Sequence, residues 1–332
     1  MRILAFVKRI MLQLFRDKRT LALMFLAPLF ILTLLWLIFD ADPYTASIGV
    51  VADSSIQEQF ETKGAQAVSE SEAYALIETG ELDGFILLTG TPTVVVEGSD
   101  PSVTKAVMKD VQEWFAKEET SLQMEYVHGN EEMAMFDSFG PILLGFFVFF
   151  FVFLVSGVSF LRERTSGTLE RLLASPLKIW EMVLGYIAGF GIFTMIQAAI
   201  ISFFSIYVLD MLMVGNVSLV LTVIVLLSFS ALTLGILLSA FAKNELQMMQ
   251  FIPLVVVPQI FFSGLFNLET ISEWLSWIGP ITPLYYAGSA LRDVMLRGAE
   301  ISDLTGDLLA LLLFSFVFIL LNIAALKKYR KI

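Results

Sequence analysis

Six stretches of this chain run for 19 residues or more without a charged side chain: residues 21–39, 138–161, 182–209, 217–242, 246–268 and 308–326. At about 1.5 Å per helical residue, each is long enough to cross a hydrocarbon layer ~30 Å thick. Inside lipid every backbone N–H and C=O must be satisfied within the chain, which leaves helices as the natural form for such runs. A hydrophobic fraction of 57% with 30 Phe, and a mean hydropathy of +0.79, point the same way. The expected fold class is therefore an α-helical polytopic membrane protein with six transmembrane helices. Gly215-Asn216 sets the start of the fourth run, and Pro253 and Pro258 are expected kinks in the fifth.

Residues 40–137 change character. Residues 47–51, 84–88 and 93–97 read as strands, 70–79 and 103–124 as helices, and Gly, Pro and Asp mark the joints. A unit of this size and pattern is an inserted α/β domain. It holds twenty Asp and Glu against Lys63, Lys105, Lys109 and Lys117, a net charge of −16 that leaves +5 for the rest of a chain whose total is −11. Basic residues gather at residues 1–20, at 162–178, at Lys243 and in the tail at Lys327, Lys328, Arg330 and Lys331. Six spans put all of these on one face and the acidic domain on the other. The excess of Lys and Arg in cytoplasmic segments makes the basic face cytoplasmic, with both termini inside, and the acidic domain external at the cell membrane.

Residues 1–20 combine six basic residues with Ile3, Val7, Ile10 and Leu14 at helical spacing, the pattern of an amphipathic helix in the cytoplasmic interface. A secretory signal also begins with charge followed by an apolar run. Here the run is long enough to span, and the FDADP that follows offers no small-x-small cleavage site, so residues 21–39 read as a retained span.

Several function classes are excluded or weakened. The chain has no cysteine and a single His128, so no thiolate nucleophile, disulfide framework or Ser/His/Asp arrangement is expected, nor a cofactor or metal of its own. The acidic residues follow no D-x-D-x-D-G pattern. No G-x-x-x-x-G-K-[ST] occurs; the glycines of residues 185–191 (GYIAGFG) lack the lysine and lie in a span, where they suit close helix packing. The central parts of the spans carry no ionisable residue, as an ion-coupled transporter usually does. Gln197, Gln250, Gln259 and Asn322 are the polar residues left, expected to bond across helix interfaces. Energy for any transport should come from another protein.

The loop between the second and third spans is the most informative segment. Residues 162–176 read RERTSGTLERLLASP, carrying Arg162, Glu163, Arg164, Glu170 and Arg171, with Lys178 just beyond. Gly167 and Thr168 form a turn and a helix start, Leu169, Leu172 and Leu173 share one side of a short helix, and Ser175-Pro176 is expected to open the next one. The stretch from residue 163 to 176 resembles the coupling loop of the ATP-binding-cassette type-2 permease family, with its pattern E-x-x-x-G-T-x-E-x-L-x-x-x-P. The segment of residues 263–298, SGLFNLETISEWLSWIGPITPLYYAGSALRDVMLRG, is similar to that family's external segment before the last span, with Glu273 where a proline is usual. Residues 267–303 are expected to form an external interfacial or re-entrant helical hairpin, its Trp274, Trp277, Tyr285 and Tyr286 at headgroup level.

The resemblance implies a permease subunit of an ATP-driven exporter, not an enzyme, moving a hydrophobic or amphiphilic substrate such as a drug or lipid. Partners would be ATPase subunits holding the ATP and Mg, and a second copy or a related permease; no nucleic-acid partner is expected. The residues implicated in ATPase coupling are Arg162, Glu163, Arg164, Gly167, Thr168, Glu170, Arg171, Leu172 and Pro176. The rival reading is a membrane-anchored sensor or scaffold whose external domain binds a ligand without transport.

Overall fold

In the computed structural model, residues 2–39, 46–89, 92–97, 101–115, 135–175, 177–266 and 277–329 are described. The chain divides into two compact units, one formed by Met1–Asp40 with Val127–Ile332 and the other by Ala41–Tyr126.

The smaller unit is a four-stranded sheet with helices on both faces. Strands β1 (Ile48–Val51), β2 (Gln66–Ala67), β3 (Gly84–Leu87) and β4 (Thr93–Val96) lie in the order β2-β1-β3-β4; β1 is parallel to β2 and β3, and β4 runs antiparallel to β3. Strand periodicity sorts the side chains. Ile48, Val50 and Ile86 join Phe60, Val107 and Val111 of helices α3 (Ser54–Glu61) and α5 (Pro101–Phe115) on one face, while Val51 and Phe85 join Val68, Leu82 and Ala73 of α4 (Glu70–Thr79) on the other. Helix α4 ends on Gly80 in the left-handed conformation, φ 75°. The three strands and the helix at 70–79 match the sequence pattern. Helix α3 and the two-residue β2 do not show in it, because eight residues and two residues are too short for a repeating pattern to stand out. His128 lies outside the described residues.

The larger unit is helical. After α1 (Arg2–Arg16) come α2 (Lys18–Phe39), α6 (Met135–Thr165), the short α7 (Thr168–Leu173), α8 (Ile179–Tyr207), α9 (Val217–Ser239), α10 (Glu245–Leu265), α11 (Pro283–Arg297) and α12 (Thr305–Tyr329). Helices α2, α6, α8, α9, α10 and α12 are each long and apolar enough to cross a membrane, which makes this a multi-pass membrane protein with an inserted α/β unit. Burial ranks them: 72% of the most apolar window of α6 is enclosed against 17% for α2 and α12, so α6 is the axis and α2, α10 and α12 the perimeter.

Helices α6 and α9 meet backbone to backbone. A Cβ on Gly235 would stand 2.6 Å from the Phe153 carbonyl oxygen, and one on Gly157 would stand 3.2 Å from that of Gly235. Helix α12 is stitched to α9 by Ser230 and Ser315, 2.9 Å apart, and by Asn322, whose amide donates to the Thr233 carbonyl at 2.8 Å. Asn322 thus makes the expected interhelical bond. Gln259 reaches only Val255 of its own helix, Gln250 is exposed, and the buried Gln197 has neither amide atom hydrogen-bonded. Helix α10 loosens into π turns at Ile252–Val256, around Pro253, and at Phe261–Leu265, three residues past Pro258; each proline withholds an amide from the ladder.

Of the segment 267–303, residues 267–276 with Trp274 lie outside the described residues. Trp277 is exposed, a single 3₁₀ turn (Gly279–Ile281) follows, and α11 packs its fully buried Leu284, Ala287, Leu291 and Val294 into the bundle. The loop after α8 is tied to the same end of the bundle: the Val214 amide donates to the Met295 carbonyl at 2.9 Å, and the Leu212 amide to Asp137 at 2.8 Å.

Candidate functional site: the end of α6 and helix α7

Composition placed Arg162, Glu163 and Arg164 in a polar loop; the structure places them on the last turn of α6, which continues to Thr165. Arg and Glu are good helix formers, so nothing in the backbone stops the helix there. Successive residues on a helix point about 100° apart, and each of the three meets a different neighbour.

Arg162 donates to Glu245 at the start of α10 at 2.7 Å and approaches Asp17, between α1 and α2, at 3.4 Å. Asp17 also receives the Thr20 hydroxyl at 2.6 Å and the Thr20 amide at 3.1 Å, capping α2. Those two bonds, with the Arg162 charge adding to them, hold its carboxyl below the usual aspartate range. Arg164 donates to the carbonyls of Ala240 and Ala242, which follow the C-terminus of α9, where a cation suits the helix dipole.

Glu163 faces inward. It is 4% exposed, receives Arg9 of α1 on both carboxylate oxygens at 2.6 and 2.9 Å, and accepts the Tyr186 hydroxyl of α8 at 3.3 Å. Of the residues implicated in coupling, Glu163 thus has its carboxylate satisfied inside the chain, and Arg162 and Arg164 are likewise engaged.

Helix α1 reaches this site because α8 offers it a groove. Phe6, Ile10 and Leu14, four residues apart, form its buried stripe. Phe6 packs directly on Gly185, and a Cβ on Gly189 would stand 2.9 Å from Ile10. The glycines of the GYIAGFG segment are thus packing positions. Tyr186, between them, meets Phe6 and Phe160 edge-on, each at 4.8 Å.

The polypeptide then turns at Gly167, φ 71°, a left-handed conformation that a side chain would strain, and α7 begins at Thr168. Leu169 is 1% exposed and Leu172 and Leu173 are half-buried against the bundle, so the apolar side of α7 faces inward as its spacing implies. Glu170 and Arg171 face outward. Helix α8 starts at Ile179, later than Ser175 and Pro176 suggest: Ser175 instead donates to the Leu172 carbonyl at 2.6 Å, and Glu181 accepts the Lys178 amide at 2.7 Å in the manner of a capping box. Pro176 lies outside the described residues.

Arg9, Asp17, Tyr186 and Glu245 belong to this site and were not singled out by spacing. The available signals were a cation on the amphipathic first helix and a lone tyrosine among glycines in an otherwise apolar span. Among the described residues, no three or more Asp, Glu or His side chains converge as a metal site would require. The arrangement is mechanical: one helix end holds five other elements and carries a short helix with an exposed acid–base pair.

Residues 18–324 match the family model described as ABC-2 family transporter protein. The chain is 29% identical over 201 residues to ABC transporter G family member 20 of Dictyostelium discoideum, covering 60% of this chain and 28% of that protein. It is 26% identical over 176 residues to the Probable multidrug ABC transporter permease YbhR of Escherichia coli (strain K12), covering 53% and 48% respectively. With the Linearmycin resistance permease protein LnrN of Bacillus subtilis (strain 168) it shares 24% over 186 residues, covering 55% and 48%. The matched part of the chain spans about half or less of the length of each of these relatives. With the family model running along nearly all of it, this chain belongs to the ABC-2 transporter family.

Proposed function

We propose that this chain is the permease subunit of an ATP-driven exporter in the cell membrane, with α7 docking on a separate ATPase subunit that binds ATP and Mg. The observation that carries this reading is α7 itself: a helix too short to stand alone, held by Leu169, presenting Glu170 and Arg171 outward and joined through Gly167 to the end of α6. Basic α1 and the α9–α10 turn with Lys243 gather at the same end of the bundle, which supports a cytoplasmic face with both termini inside. A second copy or a related permease completes the transporter. The relatives named for multidrug transport and linearmycin resistance favour a hydrophobic or amphiphilic cargo.

The test reverses the outward pair, Glu170→Arg with Arg171→Glu. Exposed ion pairs are each worth only ~0–1 kcal/mol, but reversal sets like charges across the contact. Membrane insertion and yield should be unchanged while the ATPase no longer copurifies. A doubly reversed protein that retains its ATPase and transports at the normal rate would return the chain to the sensor or scaffold reading.

A further inference from the structure

At the end of the bundle opposite the α7 site, Ser263 and Gly264 of α10 and Tyr285, Ser289, Arg292, Asp293 and Arg297 of α11 line a cavity of about 170 Å³. That is well above the ~10–15 Å³ that admits a single water. Its charges do not balance. Arg297 is paired to Asp293 at 2.6 Å, whereas among the described residues Arg292 has no carboxylate partner and donates only to the Gly264 carbonyl, leaving most of the donors of a five-donor group unused. Arg292 is half-buried, and that burial, together with the Arg297 charge, holds its basicity below the usual arginine range. Two hydroxyl residues, Ser289 and Tyr285, stand on the same lining. The helix that supplies Ser263 and Gly264 also carries the exposed apolar side chains Leu254, Val257 and Phe261, with Phe266 just past its end stacked on Phe261 at 5.2 Å.

We propose that this cavity binds the phosphate group of a membrane phospholipid, with Arg292 as the principal donor and the apolar strip of α10 receiving the acyl chains. A guanidinium whose N–H groups are mostly unused by the described residues, beside hydroxyls, is suited to a tetrahedral oxyanion and makes charge-assisted bonds to it. The strip distinguishes a lipid phosphate from a free one, because a soluble anion gains nothing from exposed Leu and Phe. This site is independent of the ATPase reading, since binding is measured without nucleotide or transport.

The test uses the purified full chain in an uncharged detergent, titrated with dihexanoylphosphatidylglycerol, inorganic phosphate or dihexanoylglycerol, and read by native mass spectrometry and thermal unfolding. The short-chain phospholipid should bind more tightly than inorganic phosphate and raise the unfolding temperature, with dihexanoylglycerol inert. Arg292→Gln should weaken phospholipid binding about tenfold or more, Arg292→Lys less, and Lys243→Gln at the other end of the bundle not at all. Ser289→Leu, which fills the cavity but keeps the guanidinium, should weaken it too and serves if Arg292→Gln does not fold. Binding of Arg292→Gln and Ser289→Leu within threefold of the parent overturns the site. Equal affinity for inorganic phosphate and phospholipid, both lost in Arg292→Gln, overturns the lipid assignment in favour of a free anion.

Discussion

Replacing Arg9 by methionine keeps most of the side chain's apolar length on α1 but removes the charge that satisfies Glu163. The carboxylate is 4% exposed and would be left with the Tyr186 hydroxyl alone, at 3.3 Å. Stripping one partner from a fully buried ion pair costs ~3–5 kcal/mol. Arg9 is 35% exposed, so water can reach part of the vacated space, and the expected cost is about 2 kcal/mol. Glu163→Gln leaves a neutral acceptor for Tyr186 and an arginine that can turn to solvent, for about 1 kcal/mol. In the double variant no buried charge remains, so it should be more stable than Arg9→Met by about 1 kcal/mol, and the cycle should return a coupling of about 2 kcal/mol. Unfolding of the purified chain in mixed micelles, titrated with a denaturing detergent and followed by tryptophan fluorescence, reads all four proteins. Arg9→Met within ~0.5 kcal/mol of the parent, or a double variant as unstable as the two single effects added together, would show that the pair does not hold α1 to α6.

Further outcomes follow from the same geometry. Gly185→Val should detach α1, because its side chain would occupy the space of Phe6; protease cleavage within residues 2–16 should then accelerate, and an unchanged rate would deny the groove its role. Asp17 titrates below its ordinary value in the fold, so the unfolded chain binds the proton more readily. Its contribution is complete above about pH 4 and is lost as pH falls through the folded value. Asp17→Asn should therefore flatten the acid limb of stability below about pH 4. Residues 46–115, excised, should give a cooperative thermal transition by circular dichroism, since both faces of the sheet have their own buried cluster; a non-cooperative melt would refute it.

The six spans are legible because each is uniformly apolar over its whole length, a signal that no local packing detail can reverse. Their ends are less so. Residues 162–165 look like a loop by charge, yet they finish α6, because each charged side chain finds a partner on a neighbouring helix and no glycine intervenes before Gly167. At the start of α8 two capping signals compete, Ser175 with Pro176 against Lys178 with Glu181, and the second prevails as Ser175 turns back to close α7. Arg9 could not be assigned to Glu163 from the sequence, since the two are 154 residues apart and only the docking of α1 on Gly185 and Gly189 brings them together. Gln197 shows the converse: a polar residue in an apolar span invites an interhelical bond, but the neighbours packed on it supply none.

Three consecutive charged residues on one helix turn have an effect that three scattered ones would not. Arg162, Glu163 and Arg164 move as one rigid piece with the end of α6, so displacement of that turn pulls together on α1, on the α1–α2 junction, on α8, on the end of α9 and on the start of α10. Helix α7 is joined to that turn by Ser166 and Gly167 alone, and Leu169 anchors it to the same bundle. A push on Glu170 and Arg171 therefore has few soft joints in which to dissipate before it reaches the spans. The three contacts are not equivalent in strength. Glu163 is the buried one, and its loss exposes no alternative partner for Arg9, whereas Arg162 shares its charge between two half-exposed acids and Arg164 bonds to main-chain carbonyls whose other lone pairs can turn to water. Weakening Arg162 or Arg164 should thus loosen one link while the end of α6 stays in place; removing Arg9 or Glu163 should weaken the hold on α1, which its buried Phe6, Ile10 and Leu14 still pack against α8.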